Sequence, residues 1–220
     1  MTVLHRLANF FFPPKCLFCR KLLTDAETDL CHSCRADAPE FIKAKRSIPF
    51  LAGWTAVWYY NEKVRRSLLR YKFYNARSYA QIYGRFLAMK LLDRADEFDI
   101  LTWVPISSLR RLRRGYDQVE LLAQVVGREL GIKPIATLRK IRNTPPQSGI
   151  RDAAARRANV LGAYCAIAPE EFSGKRILLL DDVITTGATS SECARILLTA
   201  GAKEVFCAAI AAASQDKAKK

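Results

Sequence analysis

The sequence predicts an α/β fold with a mostly parallel sheet, and three observations carry this prediction. Residues 54–60 read WTAVWYY, an aromatic and β-branched segment that is typical of a strand. Residues 177–180 are a continuous apolar run, as expected of a fully buried strand, and residues 205–211 predict another strand. Segments with apolar residues at helical spacing lie between these runs, so that strands and helices alternate along the chain.

Helical spacing of apolar residues, glycine caps and turn-forming residues predict the remaining elements. A helix begins near Asn61, because Val64, Leu68 and Tyr71 repeat at helical spacing. Gly131 and Gly201 each follow a predicted helix, where glycine is a common C-terminal cap, and turn-forming residues make 143–149 a loop. In chain order, we predict strand 54–60, helix 61–74, a helix marked by Tyr79, Ile82, Tyr83, Phe86 and Met89, strand 99–104, helix 119–130, strand 135–138, strand 177–180, helix 189–200 and strand 205–211.

Four of the seven cysteines lie in one early block, Cys16, Cys19, Cys31 and Cys34. The spacing is C-x2-C, eleven residues, C-x2-C, and two such knuckles supply four thiolates for a closed zinc site. Disulfides and a redox-active pair are the alternatives, but a reducing compartment disfavours the first and the second needs only one pair. We expect a structural zinc knuckle at residues 1–45, followed by a larger domain at residues 46–220. A block this small depends on its metal for folding.

Composition and charge narrow the class of protein. Half of the 220 residues are hydrophobic and 26% are charged, which excludes a long disordered chain. Residues 41–160 carry 24 basic and 9 acidic residues, so that they hold the whole net charge of +15. This predicts a polyanionic partner such as phosphate, pyrophosphate or nucleic acid, and a solvated basic surface is the alternative. No apolar run reaches the roughly 18 residues of a membrane helix, and we expect a cytoplasmic protein with no membrane partner.

The strongest chemical signal is the segment that follows the apolar strand 177–180. Asp181 and Asp182 come first, and a hydroxyl-rich loop with Gly187 then leads into a helix. Adjacent carboxylates at the carboxyl end of a parallel strand can accept hydrogen bonds from ribose hydroxyls. Gly187 permits a close backbone approach, and the loop amides together with the following helix N-terminus can hold a phosphate. The segment predicts a pentose 5-phosphate site, and an acidic pair in a surface turn is the alternative.

This segment resembles the phosphoribosyl-diphosphate signature of type I phosphoribosyltransferases, and a wider set of motifs resembles the ComF family. Two positions depart from that family's pattern. Many members have a histidine where Ser107 stands, and Arg-Gly-Phe-Asn-Gln where this chain has Tyr116 and Asp117. The matching motifs are Val104-Pro105-Ile106-Ser107, Arg114-Gly115-Tyr116-Asp117-Gln118, Leu121-Leu122-Ala123, Asn143-Thr144-Pro145-Pro146-Gln147 and Arg157-Ala158-Asn159-Val160, behind the four-cysteine knuckle.

The resemblance implies a type I phosphoribosyltransferase-like fold and a set of site residues. Asp181 and Asp182 would hold the ribose and stabilise positive charge that develops during transfer. The diphosphate would be bound by Pro105, Ile106, Ser107 and Arg114, with Mg²⁺ accompanying phosphoribosyl diphosphate. A mobile loop over the site would contribute Lys140, Arg142, Arg151, Arg156 and Arg157. The phosphoribosyl diphosphate itself would be bound by Asp181, Asp182, Val183, Ile184, Thr185, Thr186, Gly187, Ala188 and Thr189.

The resemblance also implies a function. The family is similar to proteins needed for natural competence, so we expect binding of phosphoribosyl diphosphate or a related nucleotide together with handling of imported single-stranded DNA. A competence helicase and a DNA-processing factor are the expected protein partners. The alternative is an active phosphoribosyltransferase that uses a nitrogen acceptor and has no role in DNA uptake. For DNA, basic residues on 63–77 and 110–157 would follow phosphates, and bases would stack on Trp58, Tyr60, Tyr71, Tyr74 or Tyr116.

Overall fold

A four-stranded parallel sheet forms the centre of the molecule. The computed structural model describes residues 13–73, 77–145 and 152–214. The strands run in the spatial order β1-β6-β5-β2, so that β5 lies inside the sheet. Their bounds are β1 (Gly53–Tyr59), β2 (Ile100–Trp103), β5 (Arg176–Ile184) and β6 (Glu204–Ala212). The α/β prediction is confirmed.

Burial on both faces explains why these strands read as apolar runs. Every residue of β6 after Glu204 is buried, and β6 contributes a run of small alanines from Ala208 onward. β5 pairs with β6 from Arg176 opposite Glu204 to Ile184 opposite Ala212. The sheet is therefore covered by two layers, each with its own apolar cluster.

Helices cover both faces of the sheet. The first face carries α3 (Tyr79–Leu91) and α5 (Gln118–Leu130), which pack against each other and over β1, β2 and β5. The second face carries α7 (Ala188–Thr199), which packs over β5 and β6. Within the parts of the chain that the structure describes, no helix combines the length and apolarity that crossing a bilayer requires. The remaining helices are α1 (His32–Ala36), α2 (Glu62–Phe73), α4 (Ser108–Arg114) and α6 (Ala153–Val160), with 3₁₀ turns at Leu92–Glu97 and Pro169–Glu171.

The predicted strand at residues 135–138 is wrong. Residue Pro134 forms only an isolated parallel bridge with Leu101, and the Ile135 N–H donates to the Leu101 carbonyl at 2.9 Å. The Thr137 carbonyl accepts from the Ile167 N–H at 2.9 Å, so this segment turns away from β2. The strand in this region is instead β3 (Leu138–Lys140), which pairs antiparallel with β4 (Tyr164–Ala166) outside the main sheet. The sequence reading also placed no helix at Ser108–Arg114 or Ala153–Val160.

The cysteine-rich segment packs directly on the main body. Cys16, Leu17, Phe18, Cys31 and Cys34 are buried in the same apolar cluster as the helices on the first face. The Phe18 ring lies edge-on to Trp58 of β1, with ring centroids 5.2 Å apart. The cysteine-rich segment that contains these residues, called the ribbon below, therefore shares a core with the main body.

Gly84 tests the packing of α3 on α5. A Cβ at Gly84 would lie 2.3 Å from Val125 Cγ1 of α5, closer than any real contact. We expect Gly84→Ala to lower the free energy of unfolding by about 1–3 kcal/mol through overpacking. Adding Val125→Ala should cost less than the sum of the two single losses, because the second change makes room for the first. Urea unfolding measures this, with the exposed Met89→Ala on the same helix as control.

Candidate functional site

The two aspartates lie within β5 itself. The sequence placed them after the strand, but β5 continues to Ile184 because Asp181 pairs with Ala209 and Val183 with Ala211 of the small-residue run. Asp181 is 8% exposed and Asp182 is largely enclosed. Two adjacent carboxylates thus lie at the carboxyl end of an inner parallel strand, where open α/β sheets bind ligands.

Asp182 is held by a lysine and an amide. Lys72 Nζ of α2 lies 2.8 Å from Asp182 Oδ2, and Gln118 Nε2 donates to the same oxygen at 2.9 Å. Arg114 Nη1 donates to Gln118 Oε1 at 2.7 Å, and its guanidinium lies over the Phe73 ring at 4.9 Å. Burial works to raise the pKa of Asp182, but Lys72, Gln118 and Arg114 together outweigh it and hold that pKa below its ordinary value. Asp182 is therefore the ionised member of the pair.

Asp181 behaves in the opposite way. Burial, reinforced by the neighbouring Asp182 charge, raises the pKa of Asp181 to about 8. Its Oδ1 accepts a hydrogen bond from the Asp182 N–H at 2.7 Å. Burial lowers the pKa of Lys140 to about 8, and Lys140 Nζ donates to the Tyr164 hydroxyl at 3.1 Å. The site thus holds a largely protonated acid beside an ionised one, with a lysine nearby whose proton is easily lost.

The loop after β5 turns tightly into α7 through Gly187. Gly187 has φ +81°, a left-handed conformation, and α7 begins at the next residue. A Cβ at Gly187 would lie 2.6 Å from Ile48 Cδ1, so glycine is required both by the backbone and by its neighbour. Arg46 donates to the Thr185 carbonyl, and the Ala188 N–H lies 3.3 Å from Thr186 Oγ1. Both Ile48 and Arg46 come from the segment between the ribbon and β1.

The turn after β2 lies next to this loop, because the Val104 N–H donates to the Leu180 carbonyl at 2.9 Å. The Ile106 N–H donates to Asp117 Oδ2 at 3.0 Å, and Asp117 Oδ1 caps α5 by accepting from the Val119 N–H at 2.9 Å. Ser107 is buried and donates to Asn143 Oδ1 at 2.8 Å. The Val104 and Ile106 amides are thus already used within the protein, and proline at 105 has none.

Several of the residues expected on a mobile loop lie instead in a hairpin or a helix. Lys140 lies in the β3–β4 hairpin, because β3 pairs with β4. Arg142 donates to the Leu161 carbonyl at 2.7 Å and to the Asn159 carbonyl at 3.3 Å, and Arg156 and Arg157 lie on α6. Arg151 lies outside the described residues. A role for these cations over the site stays a prediction.

The aromatic side chains suggested for base stacking are mostly core residues. Trp58, Tyr71 and Tyr116 are buried at 2%, 0% and 6% exposure, which leaves no ring face for a base. The Tyr71 and Tyr116 hydroxyls donate to the Gln118 and Tyr71 carbonyls. Tyr60 is half-buried, and residue 74 lies outside the described chain. These three rings are therefore core residues, which is the alternative that the sequence favours for at least half of the five aromatics, and base stacking on them is excluded.

The four early cysteines converge as a metal site. Their Sγ atoms all lie within 4.8 Å of one another, and Cys19 Sγ and Cys31 Sγ are 3.7 Å apart. A regular tetrahedron with Zn–S bonds of about 2.3 Å has sulfurs about 3.8 Å apart, so the donor set fits zinc. Burial works to raise the pKa of Cys16. Hydrogen bonds from the backbone of Cys31, Cys19 and Phe18 outweigh burial and lower that pKa to about 7. His32 is exposed, as expected of a residue outside the ligand set.

Three contacts at the site were beyond sequence reasoning. Lys72 on Asp182, Ile48 on Gly187 and Arg46 on the Thr185 carbonyl each join parts of the chain that are far apart in sequence. Gln118 carried a signal, since it belongs to the Arg-Gly-Tyr-Asp-Gln motif, but that motif did not reveal its partner. Lys72 carried none, because a lysine near the end of an amphipathic helix is ordinarily solvated.

Comparisons with known proteins agree with this architecture. A phosphoribosyl transferase domain model matches residues 112–220, and a double zinc ribbon domain model matches residues 7–46. Competence protein F of Haemophilus influenzae is 28% identical over 219 residues, covering 89% of this chain and 95% of that protein. Competence protein ComFC of Streptococcus pneumoniae is 30% identical over 150 residues, covering 68% of this chain and 64% of that protein.

Other similarities cover a smaller part of this chain. The DNA utilization protein YhgH of Salmonella typhi is 35% identical over 108 residues, or 49% of this chain and 46% of that protein, so the chain spans about half of its length. A solved structure of the allosteric regulatory enzyme of purine biosynthesis overlaps at a TM-score of 0.42 and 25% identity, covering 63% of this chain and 29% of the other.

The matched domains and the parallel sheet define the class: a type I phosphoribosyltransferase fold with an N-terminal zinc ribbon and a structural zinc site. Within that class, the chain belongs to the ComF family of competence proteins.

Asp181→Asn should make the protein more stable. Between the pKa of a free aspartate, about 3.9, and the folded value of about 8, the native state keeps a proton that the unfolded chain has lost. Stability therefore falls as pH rises through this window. We expect asparagine to raise the free energy of unfolding by about 1–3 kcal/mol at neutral pH, with a smaller gain near pH 5.

Urea unfolding from about pH 5 to about pH 8 measures this gain. The exposed Asp93→Asn is the matched control and should change stability little at any pH. A loss of stability in Asp181→Asn, or a gain that does not grow with pH, would contradict the assignment of the raised pKa.

Proposed function

We propose that this protein binds phosphoribosyl diphosphate at the carboxyl end of β5. The observation that carries the proposal is the geometry of residues 181–188. An ionised carboxylate at Asp182 leads through a left-handed Gly187 into the N-terminus of α7. Ribose hydroxyls donate to Asp182, and the 5-phosphate accepts from the loop amides and the helix terminus.

The diphosphate extends toward the turn after β2. The Ile106 amide is bonded to Asp117 and does not reach the ligand. The diphosphate is therefore bound by Ser107, by the start of α4 and by Arg114. Arg114 uses one of its five N–H donors on Gln118, so the others remain for an oxyanion. Mg²⁺ enters bound to the diphosphate, since the Lys72 ammonium already neutralises Asp182. Lys140, Arg142, Arg156 and Arg157 supply further cations to the bound diphosphate.

We also propose a role in the handling of single-stranded DNA during competence, in the cytoplasm, with a helicase and a DNA-processing factor as partners. The support is the charge of residues 41–160 and the run of arginines on α4, together with the two competence proteins among the relatives. Arg111 and Arg113 are exposed there. Since three of the suggested aromatic rings are buried, phosphate contacts carry most of the affinity.

Asp181→Asn combined with Asp182→Asn tests the ribose assignment. The double variant removes the ionised acceptor but keeps the shape of the strand end. We expect calorimetry with phosphoribosyl diphosphate and Mg²⁺ to show affinity reduced by at least about 100-fold, from the loss of charge-assisted hydrogen bonds. A pyrophosphate-release assay with a panel of bases and amines, run on the unaltered protein, reports whether transfer follows binding.

Asp93→Asn with Asp96→Asn is the control for that variant, because it removes two exposed carboxylates at the opposite end of the strands. It should bind as the unaltered protein does. Unchanged affinity in the Asp181 and Asp182 variant would refute the ribose assignment.

Salt dependence tests the DNA proposal. We expect affinity for a labelled single strand, followed by anisotropy, to fall steeply between about 50 and 200 mM salt. Arg111→Gln with Arg113→Gln should lower the salt slope by about 1–2, as expected for two lost phosphate contacts. Lys175→Gln with Lys203→Gln, at the amino ends of β5 and β6, should leave the slope unchanged. A flat salt response in the unaltered protein would exclude phosphate-driven binding.

A further inference from the structure

The last turn of α2 connects the zinc ribbon to the site. Four consecutive residues, Arg70 to Phe73, each contact a different partner: a carbonyl of the ribbon, the carbonyl of Gln118 on α5, Asp182 of β5 and Arg114 of α4. The rise of an α-helix is about 1.5 Å per residue, so the backbones of these four residues span about 4.5 Å along the helix axis.

The ribbon side consists of backbone carbonyls inside the first cysteine knuckle. Arg70 Nη2 donates to the Leu17 carbonyl at 2.7 Å and to the Phe18 carbonyl at 2.9 Å. The buried Ser67 Oγ, one turn earlier, donates to the same Leu17 carbonyl at 2.9 Å. Leu17 and Phe18 are the two residues between Cys16 and Cys19, so their carbonyls hold these positions only while the knuckle is closed.

The site side consists of the groups that hold Asp182. Lys72 forms its ion pair with Asp182, and the Tyr71 hydroxyl donates to the carbonyl of Gln118, whose side chain binds the same oxygen. The Phe73 ring packs under Arg114, which bonds to Gln118 in turn. A shift of this turn would therefore loosen the lysine and the amide that hold Asp182.

Loss of zinc would disturb α2, because buried and partly buried polar groups of this helix donate hydrogen bonds to the first knuckle. A small four-cysteine unit does not keep its fold without metal, so loss of zinc removes the carbonyls that accept from Arg70 and Ser67. The Ser67 hydroxyl then still has the Tyr83 hydroxyl at 2.6 Å, and Arg70 Nε still donates to the Tyr79 hydroxyl at 3.2 Å. A partly buried guanidinium that has lost two carbonyl acceptors is nevertheless costly, and the end of α2 moves to find other partners. Lys72 moves with it, and Asp182 loses a counterion in an enclosed site.

We propose that zinc in the ribbon holds the phosphoribosyl-diphosphate site in its binding form through the last turn of α2, with Arg70 and Lys72 as positioning residues. This inference rests on the proposed function. The inference extends the proposed function, because affinity for the sugar diphosphate then depends on a metal bound in another part of the protein. Such coupling is reciprocal, so the ligand also strengthens zinc binding.

The first test is a double-mutant cycle on the full chain, with phosphoribosyl diphosphate and Mg²⁺ as the probe and with bound zinc measured in every sample. Arg70→Met leaves the four cysteines in place, so it should keep its zinc and bind about 5–10-fold more weakly. Lys72→Met should bind about 10-fold more weakly, and the double variant no more weakly than Lys72→Met alone, because the two residues act in series. Ser67→Ala, a smaller change, should weaken binding about 2–3-fold.

Arg66→Met is the matched control, because Arg66 lies one turn earlier on α2 and pairs only at the surface with Glu62, at 2.9 Å. It should bind as the unaltered protein does. Arg70→Met with zinc retained and full affinity would overturn the inference. Losses that multiply in the double variant would also overturn it, since they would show two independent effects.

The second test needs no variant that could misfold. Zinc affinity of the unaltered protein is measured by competition with a chelator, with and without saturating phosphoribosyl diphosphate, in excess Mg²⁺. We expect the ligand to tighten zinc binding several-fold, and the effect to disappear in Lys72→Met. Equal zinc affinity in both conditions overturns the coupling alone, provided that calorimetry shows binding. If the unaltered protein does not bind the ligand at all, the proposed function fails and this inference fails with it.

Discussion

Two adjacent buried carboxylates at the end of β5 are the constraint around which the rest of the molecule is arranged. Both cannot be ionised in an enclosed site without compensating charge. The protein resolves this by giving Asp182 a lysine and an amide and by keeping Asp181 protonated over most of the neutral range. The compensating groups are Lys72 of α2, Gln118 of α5 and Lys140 of the β3–β4 hairpin. The arrangement costs stability, as is common where charged groups are enclosed at a functional site.

The ribbon and the linker complete the same site from outside the sheet. The ribbon contributes apolar side chains to the first layer of the core, and its knuckle carbonyls receive the end of α2. The linker places Ile48 against Gly187 and Arg46 on the Thr185 carbonyl. The N-terminal segment is therefore part of the machinery that shapes the loop after β5.

Local patterns predicted the parts of the structure that depend on local physics. The cysteine spacing, the apolar runs of β5 and β6, the cap at Gly131 and the loop glycine at 187 were all readable from the sequence. The predicted strand at 135–138 is wrong because Thr137 bonds to Ile167, far along the chain, and local apolar patterning does not reveal such a contact. The aspartates were placed one element too late, since pairing with the alanines of β6 is a long-range effect. Lys72 could not be assigned, because only packing of α2 turns a helix-end lysine inward.

Amide chemical-shift mapping during a titration with phosphoribosyl diphosphate and Mg²⁺ tests the account most directly. The account predicts the largest shifts at the N–H groups of residues 184–189, with a second group at residues 107–110. Shifts confined to the ribbon or to the amino ends of the strands would contradict it, and so would a titration that leaves residues 184–189 unchanged.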